Sequence, residues 1–478
     1  MKNASKLFGL LALLVMALLL FALAERRPAY FANVSFLETL LLLEVMAVAV
    51  WHYERYFFPV MMLTFLWAGT ELPLADAGNR ARWVFLAVGA LVGIAKWSKR
   101  DMRRHFTAID LAALLCVMSA AVSSLVSSHV EISLLKSASL LLIFLYAASG
   151  AKIAVVGRES KFFPGLLTAC EVISYLSAFS YGVLHFELFG NPNSLGAVMG
   201  VVVVPTLLWG VLSTTARHVR FRRTLALCLA SYLLYFSVSR AGILACAVAV
   251  TVMCVALRRQ RVLIKGAAGL MFLIAIVAVV QPGRFDTLVS SFTEDLIYKG
   301  KPEMGILGSR QSPWQETVDV IKRDRNYLFG VGFGTSSSEQ QGGAPGEVMF
   351  RTSGGTVREH GNSYLALLEY VGFLGIVPFL VLLVLVLRQI YRGCSCMWRT
   401  RDPGHYVVPL VLVCVAGLVH AFFEDWLFAV GYYLTVFFWS SVFVLAELQS
   451  EPALASVMVN RPWREIPVSA QAPLSPTR

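Results

Sequence analysis

The sequence predicts an all-α polytopic membrane protein with about 12–14 transmembrane helices and one long external loop containing short helices, and three features carry that prediction. Of the 478 residues, 57% are hydrophobic and only 15% charged, with a mean hydropathy of +0.68, a balance foreign to a soluble chain of this length. Apolar runs long enough to cross a bilayer recur along most of the chain. Between them, Gln281 to Asn362 is the one long stretch too polar to lie in lipid.

The first apolar run is Leu7 to Ala24, preceded by Lys2 and Lys6. Ala22-Leu23-Ala24 resembles a signal-peptidase site, yet the run is long enough to cross and another span follows, so it reads as retained. Further spans read at 35–50, 57–72, 83–97, 108–126, 133–150, 163–184, 194–215, 224–238, 240–257, 262–280, 363–388, 406–421 and 426–446. The chain thus divides into an N-terminal transmembrane block (1–280), the external loop (281–362), a C-terminal transmembrane block (363–446) and a proline-bearing tail (447–478) that reads as disordered.

Orientation follows from basic residues in alternate connections. Lys96 to Arg104, Lys152 to Lys161, Arg217 to Arg223, Arg258 to Lys265 and Arg388 to Arg401 are rich in Lys and Arg, and the intervening connections are nearly bare. The rich set, with both termini, is expected in the cytoplasm, and the long loop outside. The same bias accounts for the net charge of +12 without a nucleic-acid partner. Eight cysteines fall in spans or cytoplasmic connections and imply no disulfide framework, and Cys394-x-Cys396 lacks the second pair a zinc site needs.

On the outer face, good helix-start signals cluster. Asn191-Pro192-Asn193-Ser194, Ser239-Arg240-Ala241-Gly242 and Asn362-Ser363 each offer an N-cap. Within the loop, Ser312-Pro313-Trp314-Gln315 has the capping-box pattern, with Val318 and Ile321 as the apolar face of the helix that follows. Helix N-termini beside arginines suit a concentrated negative charge such as pyrophosphate, although any single cap reads as well as an ordinary turn. Arg240 stands among apolar neighbours at the membrane boundary, where a guanidinium is costly and usually functional. Arg310 presents a planar donor fork just ahead of the capping signal. His360, beside the start of a span, is a candidate base. His420 and Glu424 share a helix spacing but lack a third metal ligand, and no external Asp-x-Asp pair occurs, so no metal or other cofactor is implied. Gly330-Val331-Gly332-Phe333-Gly334 reads as a flexible turn rather than a nucleotide loop.

In order along the chain, Gly190-Asn191-Pro192-Asn193, Ser239-Arg240-Ala241-Gly242, Arg310 with Trp314, Gly330 to Gly334, Glu359-His360-Gly361-Asn362-Ser363-Tyr364-Leu365 and His420 to Glu424 resemble the O-antigen ligase and polymerase superfamily of bacterial membrane glycan transferases. The resemblance implies transfer of a glycan from an undecaprenyl-pyrophosphate carrier, outside the cytoplasmic membrane, to an acceptor hydroxyl on another glycan, lipid A core or protein. It maps catalytic roles onto Arg240, Arg310 and His360, and substrate contacts onto Asn193, Trp314, Arg358, Asn362 and Tyr364. In the family the histidine commonly stands directly before asparagine; here Gly361 intervenes. The competing class is a transporter such as a lipid-linked oligosaccharide flippase, against which stand the long loop and the clustering of candidate residues on one side rather than at the midplane.

Overall fold

A computed structural model of the chain describes residues 57–70, 75–97, 107–186, 188–280, 290, 293–294, 308–324, 327–335, 349–352, 355–358 and 360–450. The expected spans at 7–24 and 35–50 and most of the tail lie outside the described residues.

The apolar runs fold as helices: α1 (Phe57–Ala68), α2 (Ala75–Trp97), α3 (Ala108–Leu125), α4 (Val130–Val155), α5 (Glu159–Gly182), α6 (Pro192–Ser213), α7 (Arg217–Phe236), α8 (Arg240–Ala256) and α9 (Gln260–Val280). The loop contributes α10 (Gly308–Asp324) and an antiparallel hairpin of β1 (Met349–Thr352) and β2 (Gly355–Arg358), a small departure from the expected all-α loop. Then come α11 (Ser363–Thr400), α12 (Val407–Ala421) and α13 (Tyr433–Ser450). Among the described residues α3, α4, α5, α6 and α11 are long and apolar enough to cross a membrane, with shorter apolar helices at Ala81–Ala95, Arg240–Ala256, Val407–Ala421 and Tyr433–Gln449. Large apolar side chains such as Leu114 and Met118 on α3 and Val381 and Leu387 on α11 point outward, as a lipid-facing surface requires.

α12 is buried almost all round and lies at the centre, against α6, α8, α11 and α13. Helices in lipid gain little from hiding apolar area and pack through close backbone approach at small residues. α6 and α8 show this: a Cβ added at Gly200 would lie 2.3 Å from the Gly242 carbonyl oxygen, and one at Gly196 would overlap Ser239. Gly200 belongs to a π-helical turn, Val198–Val203, and a second such turn, Ala147–Ala151 in α4, brings Gly150 against the Gly89 carbonyl of α2.

Three expected boundaries in the C-terminal block move. α11 runs 38 residues to Thr400, where Arg401 adopts the left-handed conformation and stops it. Its expected end at 388 came from fading hydrophobicity, but Arg388 to Thr400 continues as a helix beyond the apolar stretch. The last span starts at Tyr433, because residues 422–432 form a compact turn first. It ends at Ser450, since Glu447, expected in the tail, is drawn inward to Lys152 (3.2 Å), which also pairs with Asp110 (3.6 Å).

Within α11, Gly372 takes φ 69° and ψ −175°, so the helix is kinked after its N-terminal arm. The backbone groups released there are recovered by residues 327–335. The Val331 and Gly332 N–H groups donate to the Glu369 and Tyr370 carbonyls (3.0 and 3.1 Å), and the Phe373 and Leu374 N–H groups donate to Tyr327 and Leu328 (2.7 and 3.0 Å). Phe333 is buried and stacks on Phe379, while its carbonyl accepts from Ser133 of α4. The glycine-rich stretch is therefore a packed splint, not the flexible turn its composition suggested. Its glycines serve close approach, since a Cβ at Gly330 would lie 2.4 Å from the Tyr370 carbonyl oxygen.

Candidate functional site

α10 begins at Gly308, ahead of the expected start at Ser312, and Pro313 sits inside its N-terminal part. The buried face is also not the expected one. Arg310, Pro313, Thr317 and Val320 turn inward at helical spacing, Ile321 is half-buried, and Val318 is exposed. This face puts Arg310 against the turn after α12, where its guanidinium forms an ion pair with Glu424. Trp314 donates its indole N–H to the Gly361 carbonyl (3.0 Å) and meets Phe422 edge-on.

The five residues from His360 to Tyr364 are each held in a different way. His360 has no exposed surface, with Nδ1 2.8 Å from Asp425 Oδ2 and Nε2 3.3 Å from Glu369 Oε2. These contacts are charge pairs rather than aligned hydrogen bonds. Burial opposes a charge on the ring, but the flanking Glu369 and Asp425 carboxylates outweigh it and hold the pKa up to about 10. Both carboxylates therefore favour the protonated ring. Gly361 follows with φ 61°, the left-handed region that favours glycine, and a Cβ there would come within 3.3 Å of Arg310 Nη1. Asn362 caps α11 by accepting from the Tyr364 and Leu365 N–H groups (2.8 and 3.1 Å). Ser363 Oγ donates to the Glu424 carbonyl (2.7 Å) and accepts from the Trp426 and Leu427 N–H groups (2.9 and 3.1 Å), pinning the turn that carries Glu424 and Asp425. Tyr364 donates its hydroxyl to the Leu418 carbonyl (3.0 Å).

Arg240 opens α8 behind Ser239, whose Oγ accepts from the Gly242 N–H (3.3 Å), and it lies near enough to Arg310 for the two charges to act on each other. Asn191 caps α6 through the Ser194 N–H (3.2 Å), leaving Asn193 half-exposed in the first turn. Tyr433 reaches that turn by donating to the Ser194 carbonyl (3.2 Å). The starts of α6, α8, α10 and α11 and the turn 422–432 consequently meet at one mouth. Arg358 lies in β2 opposite Met349. The caps were expected to leave N–H groups for an anion. Asn191, Ser239 and Asn362 instead take several of them, so the positive charge of the mouth rests mainly on Arg240 and Arg310.

The residue that sequence reasoning missed is Glu369, a lone acid inside an apolar run, which is itself a signal of function or pairing. His420 and Glu424, considered together as metal ligands, are divided: His420 Nδ1 accepts from the Trp426 indole (2.8 Å) and Glu424 is drawn to Arg310.

A search of curated proteins gives no match. Residues 225–380 match the Wzy_C family model, described as O-antigen ligase, and that stretch contains Arg240, Arg310, His360, Asn362, Tyr364 and Glu369. Within this polytopic helical membrane protein, that segment is similar to the O-antigen ligase family.

Proposed function

We propose that the protein is a membrane glycosyltransferase that moves a glycan from undecaprenyl pyrophosphate to an acceptor hydroxyl during surface polysaccharide assembly, either by polymerisation or by ligation to lipid A core. On this reading the mouth opens on the outer side of a bacterial cytoplasmic membrane, with both termini in the cytoplasm, as the distribution of basic residues favours. The observation that carries it is the convergence of two guanidiniums, Arg240 from α8 and Arg310 from α10, within the matched segment.

Guanidiniums at a membrane boundary are costly and usually functional, and they suit an anionic ligand. A lipid pyrophosphate is such an anion, and its charge grows on the leaving oxygen as the glycosidic bond breaks. Donors already in position stabilise that charge without reorganising, which is usually the largest catalytic term. Glu424 holds the place of the anion beside Arg310 until the donor arrives. Trp314, Asn193 and Tyr364 lie along the same mouth as candidate contacts for the sugar.

The test is reconstitution of the full chain in proteoliposomes with a labelled glycan on undecaprenyl pyrophosphate and a glycan or lipid A core acceptor. Acceptor-dependent release of undecaprenyl pyrophosphate is expected. Movement of donor across the bilayer with no release would overturn the proposal in favour of a flippase.

A further inference from the structure

The transfer requires that the acceptor hydroxyl lose a proton, and the histidine that the sequence offered for this is enclosed. His360 has no exposed surface and lies between two carboxylates. Glu369 is equally buried, Asp425 is committed to His360, and the buried His420 accepts from Trp426. Glu424 differs. Its side chain is 23% exposed, it faces the mouth, and it is bound through the same guanidinium, Arg310 Nη2, that a pyrophosphate would engage. Its backbone is fixed by Ser363, which accepts from the two residues after Asp425 and donates to the Glu424 carbonyl.

We infer that Glu424 is the general base of the transfer, and that the donor itself releases it by taking its place on Arg310. This rests on the reading of Arg310 as a pyrophosphate contact. Before the donor binds, the Glu424 carboxylate is held by the ion pair with Arg310. When pyrophosphate occupies Arg310, the carboxylate loses its cation, is repelled by the phosphate oxygens and turns to the acceptor side. There it accepts the hydroxyl proton as the acceptor oxygen bonds to the anomeric carbon. The bond from that carbon to the pyrophosphate oxygen breaks, and its electron pair leaves with that oxygen beside Arg240 and Arg310. Departure of the carrier lets Glu424 pass its proton to water and pair with Arg310 again. Proton removal is thereby coupled to donor occupancy, which protects the empty mouth from activating stray hydroxyls.

General bases contribute about 10²–10⁴-fold, so Glu424→Gln should lower kcat at least a hundredfold. Because the amide no longer competes as strongly for Arg310, donor KM and the inhibition constant of inorganic pyrophosphate, used as a headgroup probe, should stay level or fall severalfold. Glu424→Asp should recover part of the turnover, and sodium formate should partly restore Glu424→Gly by supplying a mobile carboxylate. The inference is overturned by a Gln variant that turns over within threefold of the parent. It is equally overturned if kcat loss comes with weaker pyrophosphate inhibition and no formate rescue, which would make Glu424 a support for Arg310. Should Arg310→Ala keep both turnover and pyrophosphate inhibition, the proposed function itself fails; a dead Arg310→Ala beside an active Glu424→Gln removes only the role of Glu424.

Discussion

Nδ1 of His360, the last residue of the loop before α11 begins, lies 2.8 Å from Oδ2 of Asp425, in the turn between α12 and α13. With Glu369 on the other ring nitrogen, this fastens the N-terminal arm of α11 to the turn that carries Glu424. Removing one partner of such a buried group leaves the others uncompensated, a loss of about 3–5 kcal/mol in comparable buried pairs.

The pH dependence of stability follows with a definite sign. The pKa of His360 is raised from 6.5 to about 10, so its stabilisation is complete below 6.5 and is lost as pH rises through about 10. The thermal midpoint in nanodiscs should fall between pH 7 and pH 10 on the order of the folded pKa, and His360→Gln should start lower and show a flatter profile. Activity that rises through pH 6.5 in the parent and loses that limb in His360→Gln would instead return His360 to the role of base.

Arg240 and Arg310 should behave as one unit. Replacing either by Ala removes a charge-assisted contact that strengthens as the leaving group departs, costing about 3 kcal/mol in the barrier, or roughly a hundredfold in rate. Lys should rescue only partly, because it lacks the planar fork. The double Ala variant should fall short of additivity. A folded Arg240→Ala protein with near-normal turnover would exclude that residue from the mouth.

Gly361 is predicted to matter through its conformation. Alanine there must hold the left-handed φ of 61°, at about 1–2 kcal/mol, and its Cβ would press on Arg310 Nη1 at 3.3 Å. Gly361→Ala should lower thermal stability by that amount and raise the donor KM; an unchanged KM would show that Arg310 yields without cost.

Gly200→Ala probes the seat of Arg240. With its Cβ 2.3 Å from the Gly242 carbonyl oxygen, α6 and α8 must part, at a cost of about 1–3 kcal/mol for overpacking. Turnover should drop with stability, since the start of α8 shifts; thermal scans and kinetics on one preparation decide this.

Chelation offers a simpler check. Glu424 and Asp425 are paired with Arg310 and His360 rather than facing each other as a ligand set, so activity should survive excess EDTA. Loss of activity restored by magnesium or manganese would contradict the arginine-based reading.

Much of this architecture was legible in the sequence. Apolar runs announce spans because lipid forces each backbone to satisfy itself, and the caps at Asn191, Ser239 and Asn362 act over only two or three residues. Less local features were not legible. Hydrophobicity misplaced the end of α11 because helix continuation past the apolar stretch depends on the chain beyond it. Ser312-Pro313 suggested a helix start that tertiary packing of Arg310 moved back to Gly308. The pairing of Arg310 with Glu424 joins positions 114 apart, and no spacing rule reports it. Gly196-x-x-x-Gly200 was a visible signal of close helix approach that the N-cap reading of the same region passed over.

The kink at Gly372 also sets how the molecule can breathe. Its released carbonyls and amides are bonded to residues 327–332, so that segment cannot lift away without stranding polar groups where water is scarce, and the N-terminal arm of α11 cannot straighten while the segment remains. Splint and arm therefore open together as one cooperative unit. In hydrogen exchange the amides of Val331, Gly332, Phe373 and Leu374 should share a single opening free energy, and that value is a threshold any large rearrangement of the mouth has to cross.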